Sequence, residues 1–358
     1  MIRKALCLFL LLSFYGVYAQ TVSGYVYDDI EKKPLEGAFV YLDGTTLKTN
    51  TDAKGFFSLT SPQDINGVLV VSYVGFQNYL LSNPFANNSP VTIVLKENAT
   101  RLDEVVINKT KGLFSRKEML KAFREQFLGQ SAAGSSCKIV NEKDIYFDYD
   151  PTTRILKAMA TRPLQIINKR LKYTVVFDLA GFEVAYKDRS LNSNYVNGSF
   201  FAGTTFFTDT SEKGNADKKR KAVYEGSQVH FLKALTQKQL QKEKYDFYID
   251  KFPDDVEKYF IVTDTLNVKK VTVVPIPQKK AEKSINEFKS KTGLSKYFNM
   301  RYTFLHNKKN QSFLNFDKGV FYVDENGLFA PVTEVMFGGY MGNLKAGDML
   351  PANYKYSE

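Results

Sequence analysis

Between Gln20 and Glu97, apolar and polar positions exchange over short runs, and each run ends at a turn signal. Val22, Gly24 and Val26 alternate with Ser23, Tyr25 and Tyr27, the period of two that turns one face of a strand toward a core. Ala38–Leu42 and Phe56–Leu59 read as further short strands, while Val68–Val74 and Val91–Leu95 are more continuously apolar, as heavily buried strands are. Asp52-Ala53-Lys54-Gly55 has the Asp-first, Gly-last chemistry of a type I turn. Short strands separated by turns, with no helical periodicity, predict a β-sandwich.

Beyond a polar stretch, ENATRLDEVVINKTKG, the period changes. Ser115-Arg116-Lys117-Glu118 is a capping box, and Met119, Leu120, Phe123 and Phe127 follow at helical spacing, with Gly129 as the stop. A second helix is predicted over Gln228–Leu235 and a basic one over Ser284–Lys291, with Gly293 beyond it. Strands are predicted over Ile145–Tyr149, Ile155–Ala160, Tyr173–Leu179, Tyr245–Ile249, Val271–Val274, Tyr297–Leu305, Ser312–Phe316 and Gly319–Val323. Asp324-Glu325-Asn326-Gly327 is a turn between strands. The fold class is therefore mainly β / α+β: an N-terminal sandwich, then a mixed, mostly antiparallel α+β domain. The expected division is 1–19 signal peptide, 20–98 sandwich, 99–112 linker and 113–358 second domain.

The signal peptide rests on Arg3 and Lys4, an apolar core from Ala5 to Tyr15, and Val17-Tyr18-Ala19 ahead of Gln20. That core is about half the ~20 residues that span a bilayer as a helix, so cleavage and export are expected, with no transmembrane span afterwards. Cys7 lies inside the core rather than just after the cleavage site, which disfavours a lipid anchor. Its removal leaves Cys137 alone, so no intrachain disulfide staples the exported protein. Cys137 reads as a small buried apolar residue. The chain carries +11, and loss of Arg3 and Lys4 leaves +9. Much of that excess lies in KGNADKKRK (213–221) and QKKAEKSINEFKSKTG (278–293), runs interleaved with turn formers or acids as solvated surfaces are. Export and the lack of a recognition motif argue against nucleic acid as a partner.

The residues of the sandwich resemble the carboxypeptidase-regulatory-like domain, a transthyretin-like fold common in exported proteins of Bacteroidota-type bacteria. The resemblance is carried by Gly24 and Val26, Pro34-Leu35-Glu36-Gly37-Ala38, Gly44-Thr45, Thr51-Asp52 with Gly55 and Phe57, and Ser72-Tyr73-Val74-Gly75-Phe76. It implies an accessory module, found beside carboxypeptidases and ahead of the plug of TonB-dependent receptors, and not a catalyst. Leu102, Asp103, Glu104, Val105, Val106 and Ile107 look like the segment that succeeds this domain in such receptors, which implies a strand able to augment a partner's sheet. The alternative is a linker strand docked on the chain's own sheet. The receptor's barrel is not expected: about 22 strands of about 9–11 residues need more chain than lies beyond residue 113. An eight-stranded barrel fits by length, but helices interrupt the region.

The second part also resembles the remainder of exported proteins carrying this domain, through Phe127-Leu128-Gly129, Cys137-Lys138-Ile139, Pro163-Leu164 with Asn168 and Tyr173, Tyr224-Glu225-Gly226-Ser227, His230-Phe231-Leu232 and Asp348-Met349-Leu350-Pro351. Members of that group often carry tryptophan before the Tyr224 segment, where this chain has Lys219-Arg220-Lys221 and no Trp. This resemblance implies no activity.

Catalytic patterns are sparse. A zinc carboxypeptidase needs two histidines and a glutamate with one close His–Glu pair; His230 and His306, the two histidines here, have no H-x-x-E, and H-E-x-x-H is absent. Gly198-Ser199 and Gly226-Ser227 lack the G-x-S-x-G elbow. Asp28, Asp29, Asp43 and Asp52 lack calcium-loop spacing and read as turn residues. No metal or cofactor is expected. His230, on the apolar face of GSQVHFLKAL, is the one catalytic candidate, and its competing reading is a hydrogen-bonded structural histidine. SFFAGTTFF (199–207) reads as a core strand or buried hairpin, or as an aromatic platform for a ligand. The expected function is a non-enzymatic cell-envelope binding or adaptor protein with a protein or glycan partner, periplasmic or in peripheral contact with the outer membrane. The alternatives are a hydrolase of unfamiliar type using His230 and an accessory partner of a TonB-dependent uptake system through residues 102–107.

Overall fold

The computed structural model describes residues 19–65, 67–86, 89–97, 113–212, 214–277 and 300–356. Leu102–Ile107, the helix expected at Ser284–Lys291, most of the signal sequence and the start of the strand expected at Tyr297 lie outside them. The chain divides into two compact units, Met1–Val106 and Ile107–Glu358.

The first unit is a two-sheet sandwich of seven strands: β1 (Gln20–Asp28), β2 (Phe39–Leu42), β3 (Lys48–Asn50), β4 (Phe56–Ser61), β5 (Val68–Ser72), β6 (Tyr79–Ser82) and β7 (Val91–Leu95). One sheet runs β4-β1-β7 and the other β3-β2-β5-β6. The predicted alternation holds in β1, where Val22, Gly24 and Val26 are buried and their neighbours are more exposed. All pairs are antiparallel except β1 with β7. Between the sheets lie Val22, Val26, Val40, Leu42, Phe57, Leu59, Leu69, Val71, Ile93 and Leu95. The turn at Asp52 forms as expected: Gly55 N–H donates to Asp52 C=O, Gly55 takes φ +73°, and the Asp52 carboxylate accepts Lys54 and Phe56 N–H. One expectation fails. Strand β5 stops at Ser72, and Val74 stands 94% exposed, because the chain turns at Gly75 with φ +89°.

In the second unit, helix α1 (Arg116–Phe127) carries both halves of the Ser115/Glu118 capping box and ends before Gly129 at φ +89°. It covers a six-stranded antiparallel sheet of β8 (Cys137–Ile139), β9 (Ile145–Asp150), β10 (Ile155–Ala160), β11 (Leu164–Asn168), β12 (Tyr173–Tyr186) and β13 (Val196–Asp209). Phe123 and Phe127 stack at 4.9 Å and meet Phe147, Phe177, Phe182 and Phe201 of that sheet. SFFAGTTFF is part of β13, a single long strand that buries Phe206 and Phe207 and leaves Phe200 exposed.

Helices α2 (Asp217–Tyr224) and α3 (Gln228–Thr236) lead into a second core. Strands β14 (Tyr245–Ile249), β15 (Phe252–Pro253), β18 (Tyr302–His306), β19 (Asn310–Phe316) and β22 (Val335–Gly338) form one sheet, in the order β15-β14-β18-β19-β22. Strands β16 (Phe260–Thr265), β17 (Val268–Val273), β20 (Val320–Val323) and β21 (Phe329–Ala330) form another. Phe231, Leu232 and Leu235 of α3 pack with Tyr245, Phe247, Tyr302, Phe304 and Phe321. After helix α4 (Gly339–Asn343) the chain returns to the first layer. There Gly347 N–H donates to Leu128 C=O, Asn168 Nδ2 donates to Gly347 C=O, and Ser131 Oγ donates to Asp348 Oδ1 at 2.5 Å. The fold is mostly antiparallel β-sheet with few helices, as the residue pattern predicts.

The run at 213–221 corrects one expectation. Arg220, read as solvated surface, is 4% exposed: it forks onto both Asp209 carboxylate oxygens at 2.7 Å, donates to Leu171 and Lys172 carbonyls, and lies 3.9 Å over the Tyr173 ring. Burying a cation on this helix, beside neighbours such as Lys218 and Lys219 that stay exposed, requires this full set of acceptors. No local sequence signal marks it.

Candidate functional site

His230 and His306 come together at the junction of α2, α3, β14 and β18. The chain leaves α2 at Tyr224, turns through Gly226 at φ +80°, and starts α3 with Ser227 as N-cap, whose Oγ accepts His230 N–H at 3.2 Å. The cap fixes His230 in the first turn with its ring directed inward, 4% exposed. Its Nδ1 accepts from Gly226 N–H and lies 3.0 Å from Tyr245 Oη, while Nε2 lies 3.0 Å from Glu243 Oε2. A backbone donor at Nδ1 and a carboxylate at Nε2 assign the proton to Nε2. Burial holds the His230 pKa below its ordinary value, against the opposing pull of Glu243.

His306 ends β18, directly opposite Tyr245 in the sheet, and its ring meets His230 edge-on at 5.6 Å. It is 4% exposed, and its Nδ1 has no hydrogen-bond partner among the described residues. Gly226 explains the crowding, since a Cβ there would lie 2.8 Å from His306 Nδ1. Burial first, then the neighbouring His230, takes the His306 pKa down to about 4. The chain's last described residues close over the pair. Tyr356 stacks on Tyr224 at 4.7 Å, donates its hydroxyl to Glu225 Oε1 at 3.0 Å, and lies under Lys221 Nζ at 5.0 Å. Burial raises the Tyr224 hydroxyl to about 12 and raises that of Tyr245 further.

A general base needs a lone pair within reach of a substrate proton. In His230 that lone pair already faces Gly226 and Tyr245, and the ring is sealed. The arrangement cross-links the α2–α3 turn, the loop carrying Glu243, and β14. Sequence spacing brings no partner to His230; Glu243 and Tyr245, 13 and 15 residues on, arrive through the loop that reverses α3 into β14.

The other residues with catalytic chemistry lie apart from the pair. Cys137, expected to be buried, is half-buried against the first-layer core because it opens the short edge strand β8, its Sγ 3.4 Å from Ala133 C=O, and burial pushes its thiol up to about 12, far from a reactive thiolate. Ser199 lies within β13, accepting from Lys345 Nζ at 2.8 Å, and Ser227 is engaged as the N-cap of α3. No group of three or more His, Cys, Asp or Glu side chains converges as metal ligands among the described residues. Asp28 and Asp52 are engaged with turn N–H groups.

Comparison with known proteins finds similarity over part of the chain. TonB-dependent receptor SusC of Bacteroides thetaiotaomicron is 39% identical over 87 residues, 24% of this chain and 8% of the receptor. TonB-dependent receptor P26 of Formosa agariphila is 35% identical over 92 residues, 26% of this chain and 9% of the receptor. The chain thus matches less than a tenth of the length of either receptor. Among solved structures, a chain of a type II cohesin–X-dockerin complex from Acetivibrio cellulolyticus is similar at 19% identity over 32% of this chain and 76% of that one, with a TM-score of 0.20. The CarboxypepD_reg-like family matches residues 22–107, and this stretch, with its two-sheet architecture and turn residues, is a CarboxypepD_reg-like domain.

Proposed function

We propose that the chain is a non-enzymatic adaptor of the cell envelope. In this reading it is exported by its N-terminal signal and works in the periplasm or against the outer membrane. The CarboxypepD_reg-like domain is a rigid module, and residues 113–358 bind a protein or glycan partner. The observation that carries the reading is the CarboxypepD_reg-like match at residues 22–107, with the partial similarity of the chain to two TonB-dependent receptors beside it. The wiring of His230 and the raised Cys137 thiol add support, because they leave a hydrolase built on His230 without a free base.

A second reading, accessory partner of a TonB-dependent system through Leu102–Ile107, is favoured by the extent of the family match, which runs through Ile107. Proximity labelling from tagged chain in its own envelope, read by mass spectrometry, tests both. Reproducible enrichment of one envelope complex supports the adaptor, and loss of that enrichment on deleting 102–107 favours the second reading. Turnover of a peptide or glycan by the purified protein, abolished in a site variant that stays folded, overturns both.

A further inference from the structure

Two turns meet at one end of the five-stranded sheet. Asn307 N–H, in the turn between β18 and β19, donates to Lys244 C=O, at the end of the loop between α3 and β14, at 2.9 Å. That bond sets Lys244 beside the turn that carries Lys308 and Lys309, while Lys238 and Lys242 lie earlier on the same loop as Lys244, and all five are exposed. The sequence separates these groups by more than sixty positions, so neither reads as a basic run by itself.

The choice of lysine here is not explained by the backbone or by ion pairing. Lys238, Lys244 and Lys308 take φ of +56°, +59° and +55°, a region where glycine or asparagine is the least costly residue. None of the ion pairs between described residues engages Lys238, Lys244, Lys308 or Lys309. Three acids belong to the neighbourhood, and one of them, Glu225, accepts from the Tyr356 hydroxyl. Glu243 is turned inward to His230 Nε2, and Asp246 is exposed on β14. The surface therefore keeps a surplus of positive charge. Gln237–Lys244 and Asn307–Asn310 contain no aromatic residue, so the stacking platforms that single-stranded nucleic acid requires are absent from both turns.

We propose that this end of the second unit docks on the phosphate headgroups of an anionic lipid bilayer, holding the protein peripherally at a membrane face. The argument is charge complementarity: a juxtamembrane lysine adds about fivefold to partitioning onto an anionic surface, and the effect weakens as salt screens it.

Co-sedimentation of the full chain with vesicles of phosphatidylglycerol in phosphatidylcholine tests this, against vesicles of phosphatidylcholine alone. The expected result is binding to the anionic vesicles only, falling with added salt. Lys308→Glu/Lys309→Glu and, separately, Lys238→Glu/Lys244→Glu should each lower partitioning by at least ~20-fold. The charge-matched control Lys218→Glu/Lys219→Glu, on α2, should lower it less than fivefold. Far-UV circular dichroism identifies any variant that fails to fold, and the other double variant then decides. Equal loss in the control overturns the assignment to these turns. Binding to both vesicle types, to neither, or to a polyanion such as heparin without anionic vesicles overturns the bilayer as partner.

Discussion

Glu243 Oε2 accepts from His230 Nε2 at 3.0 Å, joining the loop after α3 to the first turn of that helix beneath a ring that is itself held by Gly226 and Tyr245. The contact ties loop to helix, so removal of either side chain should be costly. His230→Ala should destabilise the second unit by about 2–4 kcal/mol through lost packing and unpaired polar groups. Glu243→Gln, which can still accept at that nitrogen, should cost about 1 kcal/mol. Thermal unfolding of the two variants measures the difference. Equal, negligible effects would show that the pair holds nothing.

Acid should weaken the same junction. The His306 pKa is taken down to about 4 by burial and by His230, whereas the unfolded chain protonates near 6.5. Between those values the unfolded state binds more protons, so stability is complete above about pH 6.5 and falls as pH drops toward about 4. The effect for this buried ring is up to about 3 kcal/mol. Glu225 and Glu243 oppose it and Lys244 reinforces it. Urea midpoints measured from pH 7.5 to 4 should decline, and His306→Phe should flatten the decline. An unchanged slope in that variant would assign the acid response elsewhere.

Gly226→Ala should be more damaging than most glycine substitutions here. Its φ of +80° disfavours a side chain, and the new Cβ would press on His306 Nδ1. A loss of about 2–3 kcal/mol is expected, against ~1 kcal/mol or less for Gly37→Ala, where φ is also positive but space is open. Differential scanning calorimetry separates the two.

Arg220 provides a test in the other core. Arg220→Ala leaves the Leu171 carbonyl without its donor and removes the packing over Tyr173, while the partly exposed Asp209 can turn to water, so a cost of about 2–3 kcal/mol is expected. The hydrogen bonds from Arg220 lower the Asp209 carboxyl to about 2. Its contribution is thus complete above about pH 4, the ordinary range of an unfolded aspartate, and is lost as pH falls toward 2. An NMR titration of the Asp209 carboxyl should show the depressed midpoint in the parent and an ordinary one in Arg220→Ala.

Cys137 should resist alkylation. With its thiol raised to about 12 by burial, labelling by maleimide at pH 7.5 should proceed only as fast as local opening allows, and denaturant should release it. Fast labelling of the native protein would contradict a packed position in the first-layer core.

The elements most legible in the sequence are those coded by local chemistry. The period-two pattern of β1, the Ser115/Glu118 box, the Gly129 stop and the Asp52 and Asp324 turns each involve residues within a few positions, and each appears as expected. Strand β11 escapes such reading because Leu164–Asn168 is only five residues long and carries little alternation, even with Pro163 before it; it is defined by pairing with β12 and β8. For His230, local spacing reveals the helical face but neither Glu243 nor Tyr245, since those contacts depend on how a loop folds back. Arg220 is least legible, as its acceptors come from β13 and the turn between β11 and β12.

The return of residues 346–348 to the end of α1 constrains the order in which this protein can be made. Ser131 and Asp348 are 217 positions apart, and Asn168 and Gly347 are 179 apart. A chain emerging from the ribosome from its N-terminus can pair β8 to β13 early, but that layer lacks its closing contacts until residues 346–348 have followed. Closure of that layer is therefore tied to contacts across about half of the sequence, so a chain stopped before Gly347 should hold β8 to β13 in an open, incompletely packed state.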